Sequence, residues 1–173
     1  MSPDAPEQTS RAAKPLDGGE WQAELLASYT TAAELERAGV LDSEEARALG
    51  EVGRQYRTRI PRYYASLMDP KDPNCPIRLQ SVPGKGELNI LESDLEDPLA
   101  EERDMPVPGI THRYPDRVLF STTHNCPVYC RHCTRKRKVS DPSTSAANKQ
   151  LEDGLTYIND HKEVRDVVIS GGD

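Results

Sequence analysis

Two short apolar runs with a helical pattern between them constrain the fold of this chain more than any other feature. "RVLFSTT", at 117–123, has the composition of a buried strand from about Val118 to Thr123, and "VRDVVIS", at 164–170, has that of a second strand. The apolar residues that recur between them at helical spacing are Ala147, Leu151, Leu155 and Ile158. Strand, helix and strand form a βαβ unit, whose crossover requires parallel strands. The pattern therefore predicts an α/β fold for this half of the chain.

The loop after the first of these strands carries three of the four cysteines, in "CPVYCRHCTRKR" at 126–137. Cys126, Cys130 and Cys133 form a CxxxCxxC pattern, and thiolates are soft ligands suited to zinc or to iron–sulfur clusters. Structural zinc normally takes four protein ligands, whereas a 4Fe-4S cluster held by three thiolates leaves one iron open to bind a substrate. Because active-site loops of α/β barrels also follow strands directly, the loop favours an iron–sulfur cluster.

Two other interpretations of this loop stay open on the sequence alone. A zinc-binding module would use His132, His124 or Cys75 as its fourth ligand, and its basic run would contact RNA. The run consists of Arg131, Arg135, Lys136, Arg137 and Lys138. Alternatively, the cysteines are structural and bind no metal, and the basic run is a solvated face or an import signal.

The overall charge and hydropathy restrict the partners and the compartment. The net charge of −7 argues against general binding to nucleic acid or anionic membranes, because both require a basic surface. No apolar run approaches the roughly 18 residues needed to span a bilayer, and the start of the chain has no signal-peptide pattern. We therefore expect a cytoplasmic protein with no membrane or nucleic-acid partner. In a reducing compartment, clustered cysteines indicate metal or redox chemistry rather than disulfides.

Composition divides the chain into four regions. Residues 1–19 are rich in Pro, Ser, Ala, Gly and charge, which predicts a disordered leader. Residues 20–69 are predicted to be helical, 70–116 to be an extended connector rich in Pro, Asp and Glu, and 117–173 to begin an incomplete barrel. Because the chain ends in "SGGD", just after a predicted buried strand, we expect it to be a fragment of a longer protein.

The predicted helical region contains a clear helix-start signal. Asp42 can cap a helix and Glu45 stands three residues later, as in a capping box. The residues predicted to share one face of this helix are Leu49, Val52, Tyr56 and Ile60. Pro61 is expected to end or bend it. A shorter helix is predicted before it, in "TTAAELERAGVL".

Four blocks of the sequence, in this order, resemble the lysine 2,3-aminomutase family of the radical S-adenosylmethionine (radical SAM) superfamily, which includes glutamate- and arginine-acting relatives. The blocks are "DPNCPIRLQ", "DLEDPLAEERDMPVPGITHRYPDRVLF", "CPVYCRHCTRKRK" and "VRDVVISGGD". The resemblance runs from about Trp21 to the last residue. It implies that the βαβ unit is the first unit of a truncated, partial (β/α) TIM-like barrel.

This resemblance implies an isomerase that moves the α-amino group of a free amino acid to its β-carbon, with lysine as the expected substrate. Glutamate and arginine are alternatives, as is the related enzyme that acts on a lysine of an elongation factor, whose loop typically has "CRYCFRR" instead. The implied cofactors are a 4Fe-4S cluster, S-adenosylmethionine and pyridoxal phosphate. The implied partners are an electron donor such as flavodoxin or ferredoxin and, at full length, further copies of the protein.

The resemblance also implies roles for individual residues. The cluster ligands, which are the catalytic cysteines, are Cys126, Cys130 and Cys133. The residues that match the S-adenosylmethionine site are His132, Gly171, Gly172 and Asp173. Those that match the pyridoxal phosphate site are Arg113, Tyr114 and Arg117, and Arg135 matches the position that pairs with the substrate carboxylate. Because the family's pyridoxal-binding lysine and its zinc cysteines would follow Asp173, we expect the chain alone to be inactive.

Overall fold

Among the residues that the structure describes, the N-terminal part of the protein contains four helices. The computed structural model describes residues 20–139, 141 and 148–172, so the predicted leader at 1–19, the helical position Ala147 and the site position Asp173 lie outside the described residues. The helices in this part are α1 (Glu20–Leu26), α2 (Ala32–Arg37), α3 (Ser43–Gln55) and α4 (Arg62–Ser66). They surround a first hydrophobic core whose most deeply buried side chains are Leu35, Val52 and Ile60.

Helix α3 begins as the sequence predicted and ends earlier than predicted. The Asp42 side chain accepts a hydrogen bond from the Glu45 N–H, and the Glu45 side chain accepts one from the Asp42 N–H, so the predicted capping box is confirmed. The prediction that Tyr56 and Ile60 continue this helix is wrong, because the chain is already extended at Tyr56. Ile60 instead pairs with Tyr29 in a short β-bridge. Pro61 therefore does not end α3; it immediately precedes α4.

The stretch predicted as an extended connector, 70–116, contains three regular elements. They are helix α5 (Pro76–Ser81), a 3-10 turn (Lys85–Leu88) and strand β1 (Ile110–Tyr114). Strand β1 was not predicted. It forms an antiparallel pair with the next strand, and Tyr114 stands opposite Arg117 across a two-residue turn. Ile110, fully buried, is the apolar residue that fixes β1 to the core.

The predicted βαβ unit is confirmed. Strand β2 (Arg117–Thr123) lies between β1 and the parallel strand β3 (Asp166–Gly171), and helix α6 (Asn148–Asp160) forms the crossover. A second hydrophobic core joins the sheet to α6, with Phe120 among its buried side chains. Helices and strands thus form a mixed α/β fold.

Helix α6 packs through a slightly different face than the sequence pattern predicted. Leu151 and Ile158 contact the core as predicted, whereas Leu155 is 60% exposed. Gly154 takes the position closest to the sheet, where a Cβ atom would lie 2.7 Å from the ring of Phe120. Since the glycine allows close approach there, the neighbouring Leu155 is rotated away from the sheet.

The apolar residues of β3 are exposed in this chain. Val167, Val168 and Ile169 are 40%, 53% and 73% exposed, and the burial of the strand increases only at its carboxyl end. In the part of the chain that the structure describes, no helix combines the length and the apolar character required to cross a bilayer.

Candidate functional site

The three predicted cluster cysteines lie on one loop at the carboxyl end of β2. We call residues 124–139 the cysteine loop. Its backbone is held by the N-terminal part of the protein: the Tyr129 N–H donates to the carbonyl of Arg59 at 3.1 Å, and the Arg131 N–H donates to the carbonyl of Gln80 at 2.7 Å. The Arg59 guanidinium also donates to the carbonyl of Cys126 at 3.4 Å. The fold therefore positions the cysteine loop from both sides, the sheet and the helical region.

The three thiols are partly buried and are not joined in disulfides. Burial raises the pKa of the Cys130 thiol, and the nearby Cys133 raises it further. The sulfur of Cys133 accepts a hydrogen bond from the Arg135 N–H at 3.4 Å. Cys130 and Cys133 thus interact through space, and a cation beside Cys130 would favour its thiolate and lower its pKa.

The described residues do not bring together a ligand set for a single metal ion. Among the described residues, no three His, Cys, Asp or Glu side chains converge as a single metal ion would require. A structural zinc ion needs four donors at about 2.0–2.3 Å from one point. A cubic iron–sulfur cluster makes a different demand, because each thiolate binds a different iron atom. The three loop thiols are half-buried and not joined in disulfides, and among the described residues neither His124, His132 nor Cys75 joins them in a group that could hold one metal ion.

Two glycines at the end of β3 contact the cysteine loop closely. Gly171 has a φ of 153°, and a Cβ atom there would lie 2.4 Å from the carbonyl oxygen of Thr123. At Gly172 a Cβ would lie 2.0 Å from the carbonyl oxygen of Asn125 and 2.9 Å from the sulfur of Cys126. Only a residue without a side chain fits between the strand end and the loop. The structure therefore brings the predicted "GG" positions to the first cysteine.

The basic run of the cysteine loop is neutralised by acidic residues from the predicted connector. Arg131 donates to both carboxylate oxygens of Glu87, at 3.0 and 2.5 Å, and its side chain is only 9% exposed. Further ion pairs of the run join Lys136 to Glu87, Arg135 to Glu101, Arg137 to Asp97 and Glu102, and Lys138 to Glu102. These internal pairs do not support the hypothesis that the run binds RNA.

The charges of the run also determine how the acidic partners titrate. Burial raises the pKa of Glu87, but hydrogen bonds and charges from Arg131 and Lys136 outweigh burial, so the pKa lies below its ordinary 4.5. The hydrogen bond from Arg135 is the main reason why the pKa of Glu101 also lies below 4.5. Both carboxyl groups are therefore ionised at neutral pH, as their ion pairs require.

The two histidines near the cysteines have different environments. His132, which matches the S-adenosylmethionine site, is exposed. His124 is partly buried, and its pKa is lowered by burial and then by the charges of Lys138 and Arg135. An uncharged His124 at neutral pH avoids adding a further positive charge beside the basic run.

The residues that match the pyridoxal phosphate site surround one cavity beside the sheet. Arg113, Tyr114 and Arg117 line a depression of about 240 Å³ whose floor includes Leu119 of β2. Their side chains come together because β1 and β2 form a hairpin, which sequence analysis did not predict. Arg117 lies over the ring of Tyr114 at 5.6 Å. The trio is thus one group in space, and Glu101 lines the same cavity.

Both arginines of this cavity already have acidic partners. Arg113 donates to Asp104 at 2.7 Å, and Arg117 donates to Asp116 at 2.9 Å. The hydrogen bonds from Arg103 and Arg113 lower the pKa of Asp104 to about 2. A phosphate group at this position would share these guanidinium groups with the carboxylates, which is possible because each guanidinium has five N–H donors.

Three acidic residues of the site were missed by sequence reasoning: Glu87, Glu101 and Asp104. Each lies in the connector: Glu87 and Glu101 pair with arginines of the cysteine loop, and Asp104 pairs with Arg113 of β1. In the sequence, only the composition of two blocks pointed to these ion pairs. The block "DLEDPLAEERD" is rich in acid, the loop "CRHCTRKRK" is rich in base, and both belong to the blocks that carry the family resemblance.

Comparison with known proteins identifies the family. L-lysine 2,3-aminomutase of Clostridium subterminale is 43% identical over 157 residues, which cover 91% of this chain. The L-lysine 2,3-aminomutase of Bacillus subtilis is 44% identical over 154 residues, 89% of this chain. Over these residues the chain belongs to the lysine 2,3-aminomutase family. The glutamate 2,3-aminomutase of Clostridioides difficile is 39% identical over 153 residues, 88% of this chain.

The family relatives are much longer than this chain. The matched residues cover 38%, 33% and 36% of the three relatives, in the order given. No protein-family model matches the chain. The family's proteins named here are aminomutases for two different amino acids, lysine and glutamate, so membership indicates an isomerase family and does not by itself select a substrate.

Proposed function

We propose that this chain provides the cluster loop and part of the cofactor site of a radical SAM 2,3-aminomutase that acts on a free amino acid, with lysine as the first candidate. The observation that carries the proposal is the contact between Gly172 and Cys126. The end of β3 reaches the first predicted cluster cysteine so closely that a Cβ at Gly172 would lie 2.9 Å from its sulfur. A ligand bound at this strand end would therefore lie beside the cysteine loop.

Two neighbouring regions of this chain would bind the cofactors. Cys126, Cys130 and Cys133 would hold a 4Fe-4S cluster, and the backbone of Gly171 and Gly172 would border S-adenosylmethionine. The cluster and S-adenosylmethionine would supply the radical chemistry, and pyridoxal phosphate would carry the migrating nitrogen, as cofactors do in such enzymes. The protein's contribution is to bind, orient and exclude water.

The cavity beside the sheet is the proposed position of the pyridoxal phosphate. Arg113 and Arg117 would bind its phosphate, since guanidinium groups recognise phosphate in a bidentate manner. Tyr114 would lie beside them. Arg135, which lies in the cysteine loop and contacts Glu101 of the cavity wall, would bind the substrate carboxylate. We place the three strands in a partial (β/α) barrel, in which the exposed apolar face of β3 would be covered by further strands.

The proposed enzyme would depend on an electron donor, a reducing compartment and further copies of itself. An electron donor such as flavodoxin or ferredoxin would reduce the cluster, and a cytoplasmic location would keep the cysteines reduced. The active protein would also be an oligomer of identical subunits.

Product analysis tests the proposed function. The protein encoded by the full gene, rather than this chain alone, is expressed anaerobically and supplied with iron, sulfide, S-adenosylmethionine, pyridoxal phosphate and a reductant. We expect conversion of L-lysine to its β-isomer, detected by chromatography, with L-glutamate and L-arginine as the matched alternative substrates. If none of the three amino acids yields a β-isomer while a cluster is present, the proposed reaction is wrong.

A further inference from the structure

Glu101 lies at the boundary between the cavity and the cysteine loop, at the end of a turn with an unusual backbone. The preceding residue, Ala100, has a φ of 49°, in the left-handed region that residues with a side chain rarely adopt. Asp97 holds this turn: its carbonyl accepts from Ala100 at 3.0 Å and its side chain from the Glu102 N–H at 2.8 Å. Strain of this kind persists where the surroundings fix one conformation, often at functional sites.

The turn directs a charged side chain into the protein. Glu101 is only 8% exposed, although it carries a carboxylate. It accepts two hydrogen bonds from Arg135, at 2.8 Å from Nε and at 2.5 Å from Nη2. This bidentate contact occupies one edge of the guanidinium. Because a guanidinium carries five N–H donors, the other edge, which includes Nη1, has donors for a second carboxylate.

Arg135 is also fixed from its backbone. Its N–H donates to the sulfur of Cys133 at 3.4 Å. Arg135 is therefore held at its guanidinium by Glu101, a cavity-lining residue, and at its backbone by Cys133. A group bound by Arg135 would have a defined position relative to both regions.

We propose that Glu101 is a positioning residue for the amino-acid substrate: it holds the Nε edge of Arg135 so that the opposite edge binds the substrate carboxylate. The proposal rests on the proposed function, because that function makes Arg135 the carboxylate-binding residue. Two carboxylates on one guanidinium repel each other. The positive charge of Lys138 also acts on Glu101 and reduces this repulsion.

Kinetics of the reconstituted full-gene protein, the form used in the product analysis, test the positioning role. Glu101→Gln removes the charge that orients Arg135, and a lost charge-assisted hydrogen bond raises the KM for the amino acid about tenfold while kcat changes less than about threefold. Glu101→Asp, which keeps the charge, recovers most of this loss. The matched control is Glu102→Gln, which alters the neighbouring ion pairs with Arg137 and Lys138 and leaves KM unchanged. A Glu101→Gln enzyme with wild-type KM, or a control with the same defect, overturns the proposal.

A binding measurement separates this proposal from the proposed function. The Nε–Hε signal of Arg135 is observed by NMR in arginine-labelled protein and assigned with Arg135→Lys. Adding L-lysine or L-glutamate shifts this signal in the wild type, and Glu101→Gln needs about tenfold more amino acid for the same shift. A wild-type protein that shows the shift but forms no β-isomer refutes the proposed reaction and leaves the positioning role supported. No shift in the wild type, or an unchanged titration in Glu101→Gln, overturns the positioning role.

Discussion

Replacement of Gly172 by alanine tests the contact on which the site depends. The added Cβ would lie 2.0 Å from the carbonyl oxygen of Asn125 and 2.4 Å from its carbonyl carbon. Carbon atoms prefer separations of about 3.5–4.0 Å, so the strand end and the cysteine loop must separate by about 1 Å or more. Both neighbours are backbone atoms, which cannot rotate away as a side chain can.

Two consequences of Gly172→Ala follow from this displacement. Overpacking of this kind costs about 1–3 kcal/mol of unfolding free energy. A displacement of about 1 Å at a reacting centre lowers activity about 100-fold. We therefore expect lower stability in urea unfolding, and less iron bound after anaerobic reconstitution, because Cys126 moves with the loop.

Gly53→Ala is the matched control for this experiment. Gly53 is exposed within α3, and a Cβ there meets nothing within 4 Å. Alanine in a helix interior is favoured over glycine by up to about 1 kcal/mol, so this variant gains stability and binds iron normally. If Gly172→Ala is as stable as the wild type and binds as much iron, the close contact between the strand end and the cysteine loop is wrong.

The remaining predictions concern the cysteines, the acidic partners of the loop and the packing of α6. Cys126→Ala, Cys130→Ala and Cys133→Ala each lose the cluster in iron analysis, whereas Cys75→Ala retains it; a full cluster in any loop variant contradicts the assignment. Because the pKa of Glu87 and of Glu101 lies below 4.5 in the folded protein, their stabilisation is complete above that pH and is lost as the pH falls through the lowered values. Urea unfolding of the wild type at a series of pH values measures this loss of unfolding free energy. In the double variant Glu87→Gln with Glu101→Gln, the free energy of unfolding changes less with pH below pH 4.5; equal pH dependence in both proteins refutes the reasoning. Gly154→Ala places a Cβ 2.7 Å from the Phe120 ring. Because overpacking of this kind costs about 1–3 kcal/mol, which exceeds the gain in helix propensity, we expect the variant to unfold at a lower temperature than the wild type. A higher unfolding temperature contradicts the packing of α6.

Local patterns in the sequence were sufficient for the elements that depend on local interactions. The capping box at Asp42 and Glu45 joins residues three positions apart, and the strands β2 and β3 are short apolar runs. The parallel pairing followed from one topological rule, the crossover through α6. These features could be predicted because each depends on neighbouring residues or on chain connectivity.

Other features depend on contacts between distant segments and have no local signal. Strand β1 contains His112 and Arg113 and follows two prolines, so its pattern does not resemble a buried strand, and its pairing with β2 fixes it. The ion pairs of Arg131 with Glu87 and Arg135 with Glu101 join residues 44 and 34 positions apart. The end of α3 at Gln55 is likewise decided by the β-bridge between Tyr29 and Ile60, not by the apolar spacing.

The candidate site was predicted in its residue types more fully than in its geometry. The family resemblance gave the cysteines, the glycines and the arginines. It did not show that Arg113, Tyr114 and Arg117 share a cavity with Glu101, because that depends on the β1–β2 hairpin and on the turn at Ala100. Spatial proximity of this kind appears only when the chain is folded.

The central claim is that the cysteine loop holds a four-iron cluster. Metal analysis after anaerobic reconstitution is the most direct test of it. The protein is purified without oxygen, supplied with iron, sulfide and zinc together, and separated from unbound metal. We predict about four irons per chain, with broad visible absorption typical of thiolate-bound clusters, and the same measurement on Cys133→Ala should give little iron. A colourless protein with one bound zinc per chain, lost in the same variant, would contradict the account.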